Sequence, residues 1–265
     1  DTCIGQYSPD GLQCLDCAPG EEPTDSSSDT GSSDTGSDTG DTDTGDTDTD
    51  PAWEEGTHSC EDARYLPYAI RGWSVCIDQA AFSDASHGEA VLTLLSSDLR
   101  TVLSLLPEGP ATFLQGVRVW VEHTSDWAGA VYHPSASWLS SNGYPTYWAE
   151  SIQIANSENY LSWTAIQPAI VLHELSHAWH HQYLGYSDPD ISNAYSEAMA
   201  SGIYDSVPYA GGGNAQAYAT TNVQEYFAEL TEAWFWENDF YPFVREELLE
   251  FDPTGAAVIE ASWDH

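Results

Sequence analysis

Two histidines four residues apart, with a glutamate between them, are the residues of this sequence best suited to chemistry. They lie in the stretch VLHELSH (171–177), within an apolar pattern that predicts a helix over residues 168–184. Residues i and i+4 share one helix face, so both imidazoles can reach one Zn²⁺ at about 2.0–2.1 Å. The motif predicts His173 and His177 as zinc ligands, and Glu174 as the catalytic base that takes a proton from metal-bound water.

A third ligand must come from elsewhere, because a catalytic zinc generally has three protein ligands and one position open to water. His180 shares the helix face of His173. It lies about a turn beyond His177, so joint binding of one metal would require a bent helix. We therefore expect His180 to support the site from its wall without binding the metal.

Glu225 and Glu229 are the better source of the third ligand. They too are four residues apart, on a second predicted helix (222–236) that is otherwise rich in aromatic residues. Two carboxylates on such a face favour a bound cation as their partner, although two solvated surface glutamates would show the same spacing.

These two stretches together resemble the gluzincin metallopeptidases, in which HExxH is followed by a glutamate pair on a later helix. The stretch YATTNVQEYFAE (218–229) is similar to the corresponding part of catalytic domains of the anthrax lethal factor type. A wider similarity, to uncharacterised bacterial secreted proteins, covers roughly residues 90–255. The resemblance implies a zincin-like metallopeptidase domain, with Glu225 as the third zinc ligand. It also implies that Glu229 orients a zinc-bound histidine and that the Tyr218 hydroxyl stabilises an oxyanion.

The loop between the two motifs (178–224) is longer than in thermolysin-like enzymes, which makes the role of Tyr218 depend on how that loop folds. Its alternatives are Tyr204, Tyr209 and Tyr226. The mechanism implied is direct attack of water on a peptide bond, with Glu174 taking the proton and passing it to the leaving amine.

Other stretches bear on the substrate. SIQIAN (151–156) is predicted as an edge strand that can hold an extended peptide. His133 is interpreted as a structural turn residue rather than a substrate contact. No GxMEN-like run for holding a free N-terminus is found, which favours an endopeptidase.

Two other functions stay open at this point. One is a surface binding or adhesion module whose zinc is structural, closed by a fourth protein ligand such as His180. The other is a zinc hydrolase that acts on a non-peptide or cell-wall amide.

The elements that must position these residues indicate an α+β domain over residues 52–265. Strands are predicted within 66–78, 116–123 and 151–156, and helices within 88–106, 168–184 and 222–236. Residues 1–20 are a cysteine-containing head, and residues 21–51 are an Asp/Thr/Ser/Gly stretch predicted as a disordered acidic linker. The DTDTG repeats of the linker resemble the start of calcium loops but lack their final glutamate.

The net charge of the chain excludes some classes of binding partner. Five basic residues stand against 43 acidic ones, for a formal net charge of −38. Such a surface repels nucleic acid and anionic lipid, and no apolar run reaches the roughly 18 residues of a membrane-spanning helix. We expect a monomer with a peptide or protein substrate. The acidity itself favours solubility, with steering of cationic substrates as the alternative.

The cysteines favour an exported protein, extracellular or at the cell surface. The chain begins at Asp1, so we expect a removed signal segment, and a lipid tether upstream is compatible with the linker. Cys60 and Cys76 are expected to form a disulfide, and Cys3 to pair with Cys14 or Cys17, which leaves one thiol. A half zinc site or redox pair at the CxxC of residues 14–17 is the alternative.

Overall fold

The computed structural model describes residues 53–125 and 129–264. The predicted head (1–20), the predicted linker (21–51) and three of the five cysteines lie outside these residues, so what was predicted for them stays a prediction. The described chain is a mixed α+β structure, as the sequence predicted.

Six strands form one sheet: β1 (Trp53–Glu55), β2 (Tyr65–Ile70), β3 (Trp73–Asp78), β4 (Val119–Val121), β5 (Ala130–Tyr132) and β6 (Ile152–Ile154). Their order is β1-β2-β3-β4-β6-β5. The central strands β3, β4 and β6 are parallel, and β1, β2 and β5 run antiparallel to their neighbours. A separate pair joins β7 (Val207–Pro208) to β8 (Asn214–Ala215).

The α-helices of the described chain are α1 (Ala85–Leu105), α2 (Glu108–Leu114), α3 (Ala136–Ser141), α4 (Ser157–Trp163), α5 (Ile170–Trp179), α6 (Pro189–Ser201), α7 (Val223–Phe235), α8 (Arg245–Phe251) and α9 (Pro253–Trp263). A π-helical turn, His180–Leu184, continues α5, so the helix predicted over 168–184 is present with a change of winding near its end. Helix α7 follows the prediction closely.

The prediction of an edge strand at residues 151–156 is wrong in one respect. Strand β6 lies there, but it is paired on both sides, with β4 and with β5. The edge position belongs to β5, which lies in a turn-rich stretch of the sequence and pairs with β6 through only three residues. Its three residues, Ala-Val-Tyr, lack the apolar–polar alternation that Ile-Gln-Ile shows in the equally short β6, so the sequence did not reveal it.

The two faces of the sheet have separate cores. Val119 and Val121 of β4 join the main core with the buried face of α1, whereas Trp120 points the other way. Trp120 packs in a smaller cluster with the disulfide that joins Cys60 to Cys76, which is the pairing the sequence predicted. The helices that carry the predicted site lie on the main-core side.

Helices α5, α7 and α9 meet in a layer of stacked aromatic rings. Trp179 of α5 stacks on Trp263 of α9 at 5.3 Å between ring centroids, and Phe227 of α7 stacks on the same indole at 6.1 Å. These contacts fix α7 against α5, which is the pairing on which the predicted site depends. In the described residues no helix has both the length and the apolar character needed to cross a membrane.

Candidate metal centre

Helix α5 is buried on all sides. Every residue from Val171 to Trp179 is buried, including both histidines and the glutamate of the motif. Polar side chains are rarely placed in such surroundings unless they have partners. The partners of these three come from α7 and from β5.

Three donor atoms form a nearly equilateral triangle between α5 and α7. Nε2 of His173 lies 3.1 Å from Nε2 of His177, and each of these atoms lies 3.1 Å from Oε2 of Glu225. Two ligands bound at about 2.05 Å to a tetrahedral zinc ion are roughly 3.3 Å apart, so the spacing fits one shared ion. Two imidazole nitrogens facing each other at this distance also need a cation or proton between them. The residues present therefore fit a zinc ion held by these three side chains.

Glu225 reaches the triangle because of how α7 begins. The Asn222 side chain caps the helix and accepts hydrogen bonds from the backbone N–H groups of Gln224 and Glu225. Glu225 thus lies in the first turn, with its carboxylate toward α5. Burial alone would raise its carboxyl pKa, but His177 and His173 outweigh burial and hold the pKa below its usual range.

Glu174 lies beside the triangle and faces the edge strand. Burial raises its carboxyl pKa, and the charges of His173 and His177 offset part of that rise. The backbone N–H of Tyr132 in β5 donates a hydrogen bond to the carboxylate. A buried carboxylate with a raised pKa, held beside three potential metal donors, is a candidate for a general base.

Two carboxylates of α7 lie near Nδ1 of His173, and Glu232 makes a shorter contact than Glu229, for which the resemblance implied the orienting role. Oε1 of Glu232 lies 2.5 Å from Nδ1 of His173, whereas Oε1 of Glu229 lies 3.7 Å away. Residues 225, 229 and 232 all share one face of α7, because steps of four and three residues both complete about one turn. The spacing shows that Glu232 shares this face with Glu229, but it does not show which of the two carboxylates contacts the ring.

His180 begins the π-helical turn that continues α5. The ring is fully buried, packed against Phe227 and Tyr186, and neither ring nitrogen has a hydrogen-bond partner within the described chain. Burial, followed by the charge of His177, lowers its pKa to about 3. His180 does not belong to the donor triangle.

Tyr218 is the one of the four tyrosine candidates whose ring packs near the triangle. It lies in a 3₁₀ turn (Tyr218–Thr220) just before α7, with its ring centroid 6.2 Å from that of His173. The hydroxyls of Tyr204 and Tyr226 instead donate to the Asp252 carboxylate in the core, and Tyr209 packs on Phe240. The geometry favours Tyr218 over its alternatives for a role at the site.

Sequence reasoning missed two tyrosines near the site. Tyr186 packs against His180 and His181, and the charges of Glu225 and Glu174 contribute to its raised pKa, after burial and Tyr132. The Tyr132 hydroxyl forms a 2.8 Å hydrogen bond with Nδ1 of His181, so the edge strand is tied to the π-helical turn. The contact of Tyr132 joins segments distant in the sequence, and that of Tyr186 depends on the turn after the π-helical segment, so the sequence carried no signal for either.

His133 is a structural residue of the turn after β5. Its ring is buried, stacks on Trp148 at 5.7 Å between centroids, and forms a 2.9 Å hydrogen bond with the side chain of Gln153. Burial lowers its pKa to about 4, so the ring is neutral at pH 7. The contacts agree with the interpretation of His133 as a turn residue.

The comparisons with known proteins add no assignment to this geometry. Neither protein-family models, nor curated proteins, nor solved structures gave a match to this chain.

Proposed function

We propose that the chain is an exported zinc-dependent metalloendopeptidase of the gluzincin type, with a zincin-like fold. The observation that carries the proposal is the triangle of His173, His177 and Glu225 with Glu174 beside it. The antiparallel edge strand next to the motif helix supports the same assignment. The Cys60–Cys76 disulfide is compatible with export.

The proposed roles follow from the positions of the side chains. His173, His177 and Glu225 would hold the ion, which supplies Lewis acidity and a water activated near neutral pH. Glu174 would accept a proton from that water and deliver it to the leaving amine. Its carboxylate is oriented for this by the backbone N–H of Tyr132.

The substrate would lie along β5 rather than β6. Strand β5 has the edge position, and its residue Tyr132 hydrogen-bonds both Glu174 and the π-helical turn that follows α5. An extended peptide added to this edge would bring its scissile bond beside the proposed base. The Tyr218 hydroxyl would then donate to the oxyanion.

Zinc content and cleavage of a diverse peptide library test the proposal. We expect one zinc per chain and cleavage by the wild type. Glu174→Gln should lose about 10²–10⁴-fold in activity while it keeps its zinc, because the base is removed and the ligands are not. Glu197→Gln, which neutralises an exposed carboxylate on α6, is the matched control and should cleave normally.

A zinc-loaded wild type that leaves the whole library intact would contradict the peptidase assignment. A peptidoglycan panel, assayed in parallel, would then identify a zinc hydrolase of cell-wall amides. Zinc held without turnover on either panel would indicate a structural site.

A further inference from the structure

Helix α7 directs three buried glutamates toward α5, and they do not contact the same atoms. Glu225 faces Nε2 of His173, on the side of the donor triangle. Glu229 and Glu232 face Nδ1, on the opposite side of the same imidazole. His173 is therefore held between carboxylates, and the two on the Nδ1 side compete for one hydrogen bond.

The contact between His173 and Glu232 is a hydrogen bond and not a second metal site. Two ligands of one ion, each bound at about 2.1 Å, lie roughly 3 Å apart even at a right angle. Nδ1 of His173 and Oε1 of Glu232 are 2.5 Å apart, which leaves room for a proton alone. With its proton on Nδ1, the ring presents the lone pair of Nε2 to the triangle.

Glu229 lacks the geometry for the same role. Its nearer oxygen lies 3.7 Å from Nδ1, beyond hydrogen-bond range. Its other oxygen, Oε2, is buried and has no hydrogen-bond partner in the described part of the chain. The Asp239 carboxylate lies close enough to repel a charge on Glu229, and it is itself bound by the side-chain amide of Gln167 at 2.9 Å.

We infer that Glu232, seven residues after the third proposed ligand, is the residue that positions His173 for metal binding. Glu229, at the position indicated by the resemblance, fills the space beside it. The inference rests on the proposed metal-binding role of His173 and adds which carboxylate fixes the tautomer and angle of that ring. A carboxylate in this position raises the basicity of the ligand, and its loss typically costs 10–100-fold in metal affinity.

A pair of matched variants tests the inference. Glu232→Gln and Glu229→Gln are isosteric changes that each remove one carboxylate from the same buried cluster. Only Glu232→Gln removes a charge-assisted hydrogen bond to Nδ1 of His173. We expect the zinc dissociation constant, measured by competition with a chelator, to rise about 10–100-fold in Glu232→Gln and less than threefold in Glu229→Gln.

Nitrogen NMR of ¹⁵N-histidine-labelled protein tests the same bond without a substitution at Glu232. In the zinc-loaded wild type, His173 should show a protonated Nδ1 with a strongly downfield proton, and this signal should persist in Glu229→Gln. A wild-type spectrum with His173 protonated on Nε2 would overturn the inference even if Glu232→Gln failed to fold.

The outcomes also separate the inference from the proposed function. Equal losses of zinc affinity in the two variants, or a larger loss in Glu229→Gln, would overturn the role of Glu232 and leave the peptidase proposal intact. A wild type that binds no zinc would overturn both.

Discussion

Glu174 and Glu225 are buried in the same site, and their carboxyl pKa values are shifted in opposite directions. Glu225 contacts both imidazoles directly and is held as the charged form. Glu174 has no such contact to a ring and is shifted by burial toward the protonated form. Opposite shifts in one site are the usual sign of a division of roles, and they agree with the proposed division between an anionic metal ligand and a proton acceptor.

Removal of the Tyr218 hydroxyl tests its proposed role at the oxyanion. Tyr218→Phe keeps the ring beside His173, so zinc affinity and KM should change little. We expect kcat to fall about 10²–10³-fold, the usual cost of one lost oxyanion donor. Steady-state kinetics on a cleaved library peptide measures this.

Tyr195→Phe is the control, because it removes a hydroxyl that donates to the backbone carbonyl of Thr220 in the same turn. Equal kcat losses in both variants would mean that the turn, and not the Tyr218 hydroxyl, matters for turnover.

The relative positions of single residues were predictable wherever local spacing determines the geometry. The i, i+4 relation of His173 and His177 follows from the helix alone, and so does the shared face of the glutamates on α7. The choice between Glu229 and Glu232 was not predictable, because it depends on how α7 is shifted along α5. Tyr186 was not predictable either, because its position follows from a turn that the pattern of apolar residues does not describe.

At the scale of elements, the site depends on α7 keeping its position between α5 and α9. The Asp252 carboxylate connects α7 to α9: it accepts hydrogen bonds from the hydroxyls of Tyr226 in α7 and of Tyr204, and it caps the start of α9. Helix α9 approaches α7 closely at Gly255, where an added Cβ would lie 2.5 Å from Leu230 and 2.6 Å from Asp252. Close approach of this kind leaves no room for a side chain.

Gly255→Ala should therefore loosen the packing of α9 on α7. We expect the free energy of unfolding to fall by about 1–3 kcal/mol, as for other overpacked cores, with a measurable loss of zinc affinity because α7 carries Glu225. Urea unfolding gives the first quantity and chelator competition the second. Thr254→Ala, at an exposed position next to it, should stay within about 0.5 kcal/mol of the wild type. Similar stability of the two variants would contradict the packing argument.

The elements themselves were predictable to different degrees. The long amphipathic helices α1 and α7 have clear apolar periodicity, and their bounds match the predicted ones within a few residues. Strand β5 has three residues and no usable period, so the edge of the sheet was assigned to β6 instead. The assignment of a substrate-binding edge thus needed the pairing of strands, which is a non-local property.

At the scale of the whole molecule, acidic side chains outnumber basic ones even among the buried residues of the described chain. The buried groups near α5 and α7 include five carboxylates, those of Glu174, Glu225, Glu229, Glu232 and Asp239. Three of the five arginines are paired elsewhere, Arg64 with Glu122, Arg118 with Glu61 and Arg245 with Glu260. A dication is therefore expected to stabilise the fold as well as to serve the proposed reaction.

Removal of zinc should lower the melting temperature of the whole chain. A ligand at 100 times its dissociation constant stabilises the folded state by about 2.7 kcal/mol, which is roughly 5–10 °C for a domain of this size. Differential scanning calorimetry of the wild type, with zinc and after EDTA treatment, measures the shift. His177→Ala lacks one of the three donor atoms of the triangle, so added zinc should leave the melting temperature of this variant almost unchanged. A wild type that melts at one temperature in both conditions would show that the buried carboxylates are neutralised by protons rather than by a metal, because protonation is the other way in which such a cluster can be accommodated.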